Sequence, residues 1–167
     1  MSSAKDSLEF FKKTSKEMFL NNGSHQPLFF MGTPEGYCLM PAFFQNNLDK
    51  DAVAVFLKNL IAEGKVNSLV FVAEAWMKTV SDKKEVKKTL DIYGNLSNAP
   101  KEEKEEALIL QYQSFDESYF YISKIKRDGD KVTLADWEEI KDQSKKSVFM
   151  STGRFDGLFE KANVANN

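Results

Sequence analysis

A chain of 167 residues with 42% apolar and 29% charged residues is that of one soluble globular domain, long enough to bury a core without a metal or disulfide. Its net charge is −2, and Arg127 and Arg154 are the only arginines among 23 basic residues, which disfavours nucleic acid as a partner: backbone affinity needs clustered cations, and arginine is the preferred phosphate ligand. The single cysteine, Cys38, excludes an internal disulfide, and 14 phenylalanines point to aromatic packing in a core or an interface.

Residues 1–13 contain no apolar stretch of signal-peptide length, and no run approaches the roughly 20 apolar residues of a membrane span. The sequence therefore predicts a cytoplasmic protein with no membrane association. Residues 3–21 read as a helix, with Leu8, Phe11, Ser15, Met18 and Phe19 on one face. Asn21, Asn22 and Gly23 supply a left-handed stop. Residues 27–31 and 36–42 are short apolar runs around Gly-Thr-Pro-Glu-Gly, the pattern of a β-hairpin. His25, in the turn before it, reads as solvated, and Cys38 reads as a small core hydrophobe.

Residues 48–64 carry the strongest helical pattern, with Val53, Phe56, Leu57, Leu60 and Ile61 in a stripe, Asp49 or Asp51 as cap and Gly64 beyond the end. Residues 68–80, rich in β-branched and aromatic side chains, predict a strand. Residues 81–106 are dense in charge, with Val86, Leu90 and Tyr93 spaced for one short helix, and read as a long mobile loop. Two strands then turn around Asp116-Glu117, and Asp128-Gly129-Asp130 leads into a further strand. The last of these turns differs from a calcium loop because Lys131 stands where such a loop needs glycine. Residues 147–150 form a weak strand, 153–162 a short docking element, and 163–167 a frayed end.

The order α-β-β-α-β-β-β predicts a single α+β domain over 1–167. It comprises two layers, a mostly antiparallel sheet of five to six strands with two helices on one face. In the strand 68–80, Leu69, Phe71, Ala73, Ala75 and Met77 share a face suited to a helix. Val70, Val72, Glu74 and Trp76 share the other, which in a monomer would be largely exposed and resembles a binding or dimer surface. Glu74 there is either a cross-strand partner of a lysine such as Lys124, or a partly buried carboxylate holding Arg154, Tyr or Trp donors. A catalytic acid is the weakest reading, because no second carboxylate or histidine lies near in sequence.

No phosphate-loop, dinucleotide, nucleophile-elbow or zinc-protease motif is present, and one histidine with one cysteine cannot build a structural zinc site. No cofactor or metal is expected. The segments Gly-Tyr-Cys-Leu-Met-Pro-Ala-Phe, Leu-Val-Phe-Val-Ala-Glu-Ala-Trp-Met, Glu-Glu-Ala-Leu-Ile-Leu-Gln-Tyr-Gln and Gly-Arg-Phe-Asp-Gly-Leu-Phe resemble a group of small bacterial and phage proteins. That group has a Glu-Ala-Trp-type strand, a long linker and a Glu-Ala-Leu-type strand. The resemblance implies a bacterial or phage source and brings no catalytic residues.

The favoured function is non-catalytic: binding a protein partner, including a second copy in a homodimer, through Glu74, Trp76, Val70, Val72 and Arg154. The alternatives are an enzyme or small-ligand binder with a pocket near Glu74 under residues 81–106, its polar groups including Tyr112 and His25, and a phage virion or assembly component.

Overall fold

A computed structural model describes residues 4–42, 44–80, 83–94, 98–140, 147–150 and 158–159. Helix α1 (Ala4–Asn22) is followed by strands β1 (Leu28–Thr33) and β2 (Gly36–Pro41), helix α2 (Asn47–Ala62) and the long strand β3 (Ser68–Val80). A short helix α3 (Lys83–Tyr93) and a 3-10 turn (Lys101–Glu103) lead into β4 (Glu105–Ser114), β5 (Ser118–Asp128) and β6 (Lys131–Leu134). Two short strands, β7 (Glu138–Glu139) and β8 (Ser147–Met150), pair with β5 and β3.

The main sheet runs β2-β1-β3-β4-β5-β6, every pairing antiparallel, and curls into a half-barrel. The class, the antiparallel pairing and the strand number are as expected. Turn chemistry explains the hairpins. Gly129 has φ +59° between β5 and β6, where a side chain would be strained. At Gly32, where β1 pairs with the start of β3, an added Cβ would collide with Ser68 Oγ, so a larger residue there would force the Ser68 side chain to turn away.

The helices divide the sheet between them instead of sharing one face. α2 packs Ala54, Leu57 and Ile61 onto Phe29, Leu69, Phe71, Ala73 and Met77, the odd-numbered face of β3. Ala73 leaves room for its approach. α1 packs Leu8, Phe11 and Phe19 onto Phe30, Val70, Val72, Leu108 and Leu110, the even-numbered face. A half-period of strand alternation therefore sends each side of β3 into its own core.

α1 ends as the sequence predicts: Gly23, at φ +72°, donates its N–H to the Phe19 carbonyl. α2 is capped by Asn46, whose side chain accepts from the Asp49 N–H, one turn earlier than the aspartates proposed as caps. Phe56, expected in the α2 stripe, points to solvent, because the burial stripe is centred on Leu57. Residues 83–93 take the short helix that Val86, Leu90 and Tyr93 allow. Leu158 and Phe159 are buried, Phe159 meeting Phe115 edge-on at 5.0 Å; the rest of the expected docking element and the expected frayed end at 163–167 lie outside the described residues. No helix among the described residues is long and apolar enough to cross a membrane.

Candidate functional site

The even face of β3 changes character along its length. Val70 and Val72 are fully buried beneath α1, so the exposed apolar surface expected there is absent for these two residues. The reason is α1: its length and apolar stripe are legible, but the face it covers is set by chain path. α1 ends at Asn22, and the same sheet face continues past it as Glu74 and the partly exposed Trp76.

The neighbouring strands follow the same alternation. Register places Glu74 opposite Leu108, and Trp76 opposite Glu106. On β5, Arg127 lies two residues beyond the buried Ile125 and shares its face. Arg127 reaches back across the sheet: its Nε donates to Glu106 at 2.7 Å, and its second guanidinium nitrogen lies 3.5 Å from Glu74. Its guanidinium carbon is 5.9 Å from the Phe19 ring, against the last turn of α1.

Glu74 is thus a partly buried carboxylate, 34% exposed, held by donors of its own chain. Burial pushes its pKa up, Arg127 pulls it down, Glu106 raises it again, and a hydrogen bond from the His25 backbone lowers it. The net direction is upward. Lys124, the expected partner, lies on the opposite face and pairs with Glu105 at 3.2 Å. Arg154 lies outside the described residues.

His25 is buried, contrary to the solvated reading, because the chain folds back from α1 into β1 against the sheet. Its Nδ1 lies 2.7 Å from the Gln26 carbonyl, the geometry of a donated hydrogen bond, and its Nε2 is buried with no hydrogen-bond partner among the described residues. Burial lowers its pKa, offset in part by the bond to Gln26, so it is neutral at pH 7. Tyr112 sits at the far end of β4, opposite Val70 and 6.0 Å from the Tyr119 ring, and does not join Glu74 and His25.

A cleft of about 420 Å³ adjoins this corner. Its cause is a parting of strands. The β4–β5 pairing ends at Ala107 opposite Lys124, whereas β5 continues through Ile125–Asp128 paired with β6. Ser123 Oγ donates to the Ala135 carbonyl at 2.6 Å and Ala135 N–H donates to the Lys124 carbonyl at 2.9 Å, fixing β5 toward the β6 side. Glu105 and Glu106 keep their pairing to β3, but no strand among the described residues pairs with them on the β5 side.

Among the described residues, Lys101, Lys104, Lys124, Lys126 and Arg127 line the opening with Trp76, Ile125 and the carboxylates Glu105 and Glu106. Lys104 Nζ lies 4.0 Å from the centre of the Trp76 ring. Lys124 and Arg127 are paired with Glu105, Glu106 and Glu74, so five cations face three carboxylates and the cleft stays positive on a chain whose net charge is −2. Among the described residues no three His, Cys, Asp or Glu side chains are gathered to hold a metal ion.

Glu74, Trp76 and Lys124 stand out in the sequence as site candidates, whereas Arg127, Glu106 and the other cleft lysines do not. The signal for Arg127 and Glu106 is present: each follows the buried alternation of its strand by one step onto the same face. Only the register brings them beside Glu74. The chain matches no family model, no curated protein and no solved structure.

Proposed function

We propose that this is a non-catalytic binding protein that takes an extended acidic segment of a protein partner into the cleft between the diverging ends of β4 and β5. The observation that carries the reading is the excess of cations around Trp76 in an acidic chain. Lys101 and Lys126 are exposed at its rim, positioned to meet carboxylates while Trp76 provides an aromatic floor. The backbone N–H and C=O of Glu106 point toward β5 beyond the last β4–β5 pair, where no strand among the described residues meets them, which suits an extended peptide better than a compact anion. Catalysis is disfavoured because Glu74 is committed to Arg127 and His25 Nδ1 to Gln26, leaving no carboxylate–histidine pair to move a proton.

Titration of an Asp/Glu-rich peptide, followed by Trp76 fluorescence in a Trp137→Phe background, tests this. Binding is expected to weaken with salt and to fall about tenfold or more in the Lys101→Glu/Lys126→Glu double variant. Equal binding by that variant, or no binding by the parent protein at millimolar peptide, refutes the reading. A preference for an oligonucleotide over the peptide refutes it too.

A further inference from the structure

The two outer edges of the sheet are unlike. β6 is four residues long and begins at Lys131, after Asp128 and Asp130, so charge guards it. β2, Gly-Tyr-Cys-Leu-Met-Pro, carries no charge, and all but Met40 of its residues are exposed. Tyr37 is 43% and Leu39 60% exposed, and Phe10 of α1 beside them is 62% exposed, linked through Phe11, which lies 4.9 Å from the Tyr37 ring.

Among the described residues no strand pairs with the outer side of β2, and the direction of its backbone groups follows from the hairpin register. Thr33 opposes Gly36 across a two-residue turn, and the Ala42 N–H donates to the Pro27 carbonyl at 2.9 Å. The even residues of β2 therefore direct their N–H and C=O toward β1. Tyr37 and Leu39 direct theirs outward, and Pro41, which has no N–H, closes the edge.

We propose that β2 pairs antiparallel with β2 of a second copy, about a two-fold axis at Cys38. In that register each Tyr37 faces the other copy's Leu39 as a hydrogen-bonded pair, so four bonds satisfy every outward N–H and C=O of both residues. The side chains of Tyr37 and Leu39 pack across the seam on the α1 face, next to Phe10. A register centred on Leu39 strands the Tyr37 carbonyl opposite Pro41, and one centred on Tyr37 runs Leu39 into the turn at Glu35. The uncharged edge sets no like charges against each other, so self-pairing has no electrostatic barrier. The two Cys38 residues then form a non-hydrogen-bonded pair with Cα atoms about 4.5 Å apart, within disulfide reach. This interface is independent of the cleft, and either proposal stands if the other fails.

Sedimentation at tens of micromolar is expected to give a dimer. Diamide, which takes up the two protons and two electrons released by two thiols, is expected to link it through Cys38, the chain's one cysteine. Leu39→Pro removes an outward donor and no intrachain bond. It is expected to raise the dimer dissociation constant about 30-fold or more and to slow the cross-link, with the circular dichroism spectrum unchanged. Leu39→Lys gives the same result should proline disturb the hairpin. A strictly monomeric parent protein overturns the proposal. A dimer that neither cross-links at Cys38 nor responds to Leu39 overturns it as well, since another surface would then hold the copies together.

Discussion

Two halves of one strand face behave differently. Val70 and Val72 sit in a dry layer with Phe11, Phe30, Leu108 and Leu110, whereas Glu74 and Trp76, two and four residues on, meet Arg127, Glu106 and a cationic cleft. The strand is continuous across the boundary and its alternation does not change. What changes is the cover: α1 ends at Asn22 and His25 closes the turn over the sheet. Alternation decides which residues share a face, and the reach of a helix packed elsewhere in the chain decides which of them are core.

The sharpest way to break this comparison is to truncate on either side of it. Phe11→Ala empties a fully buried site between α1 and the sheet and is expected to cost about 3–5 kcal/mol in urea denaturation. Trp76→Ala, at a partly exposed ring, is expected to cost only about 1 kcal/mol while weakening binding of the acidic peptide. Equal losses for the two would mean that the face is one core throughout.

The same contrast explains what the residues disclose by themselves. The strand 68–80, the two long helices and the hairpin turns are local: periodicity, Gly23 and Gly129 determine them, and all are found where expected. The burial of His25 and the exposure of Cys38 run against local expectation. His25 lies in a turn of polar neighbours, but the turn is folded under. Cys38 lies in an apolar strand, but that strand is the sheet's edge, so apolar residues there meet solvent. Strand order, not composition, separates these cases. Arg127 and Glu74 are 53 positions apart, and their contact exists because β5 follows β4 and β4 follows β3 across the sheet.

Arg127→Met tests whether the open half depends on its ion pairs. Arg127 is 40% exposed, so screening limits its worth, and a loss of about 1 kcal/mol or less is expected at low salt, shrinking as salt is added. A salt-independent loss would assign its role to packing against Phe19 instead. His25 adds an effect confined to acid. Burial lowers its folded-state pKa below the ordinary value of about 6.5, so the unfolded chain binds the proton more readily. Its contribution is present above that value and is lost as pH falls toward the depressed one. His25→Gln, which does not titrate, is expected to flatten the decline in stability between pH 7 and 5. An unchanged slope would show that His25 is not the group responsible.

The smallest expected effect belongs to Glu74. Burial and Glu106 raise its pKa more than Arg127 and the His25 backbone lower it, so the folded state holds the proton more tightly than the unfolded chain. Folding then gains from the neutral form, and that gain disappears as pH rises from the ordinary carboxylate range through the raised value. Above it, the ionised side chain is a net cost, reduced because a third of it meets solvent. Glu74→Gln keeps the shape and an acceptor for Arg127 without the charge. At pH 7 it is expected to leave stability unchanged or raised by up to about 0.5 kcal/mol, with the difference fading below pH 4. A loss of about 1 kcal/mol at pH 7 would instead mean that Arg127 stabilises the carboxylate by more than burial costs. Glu74 would then be an anchor of the open half, and Arg127→Met should remove most of the same energy in a double-mutant cycle.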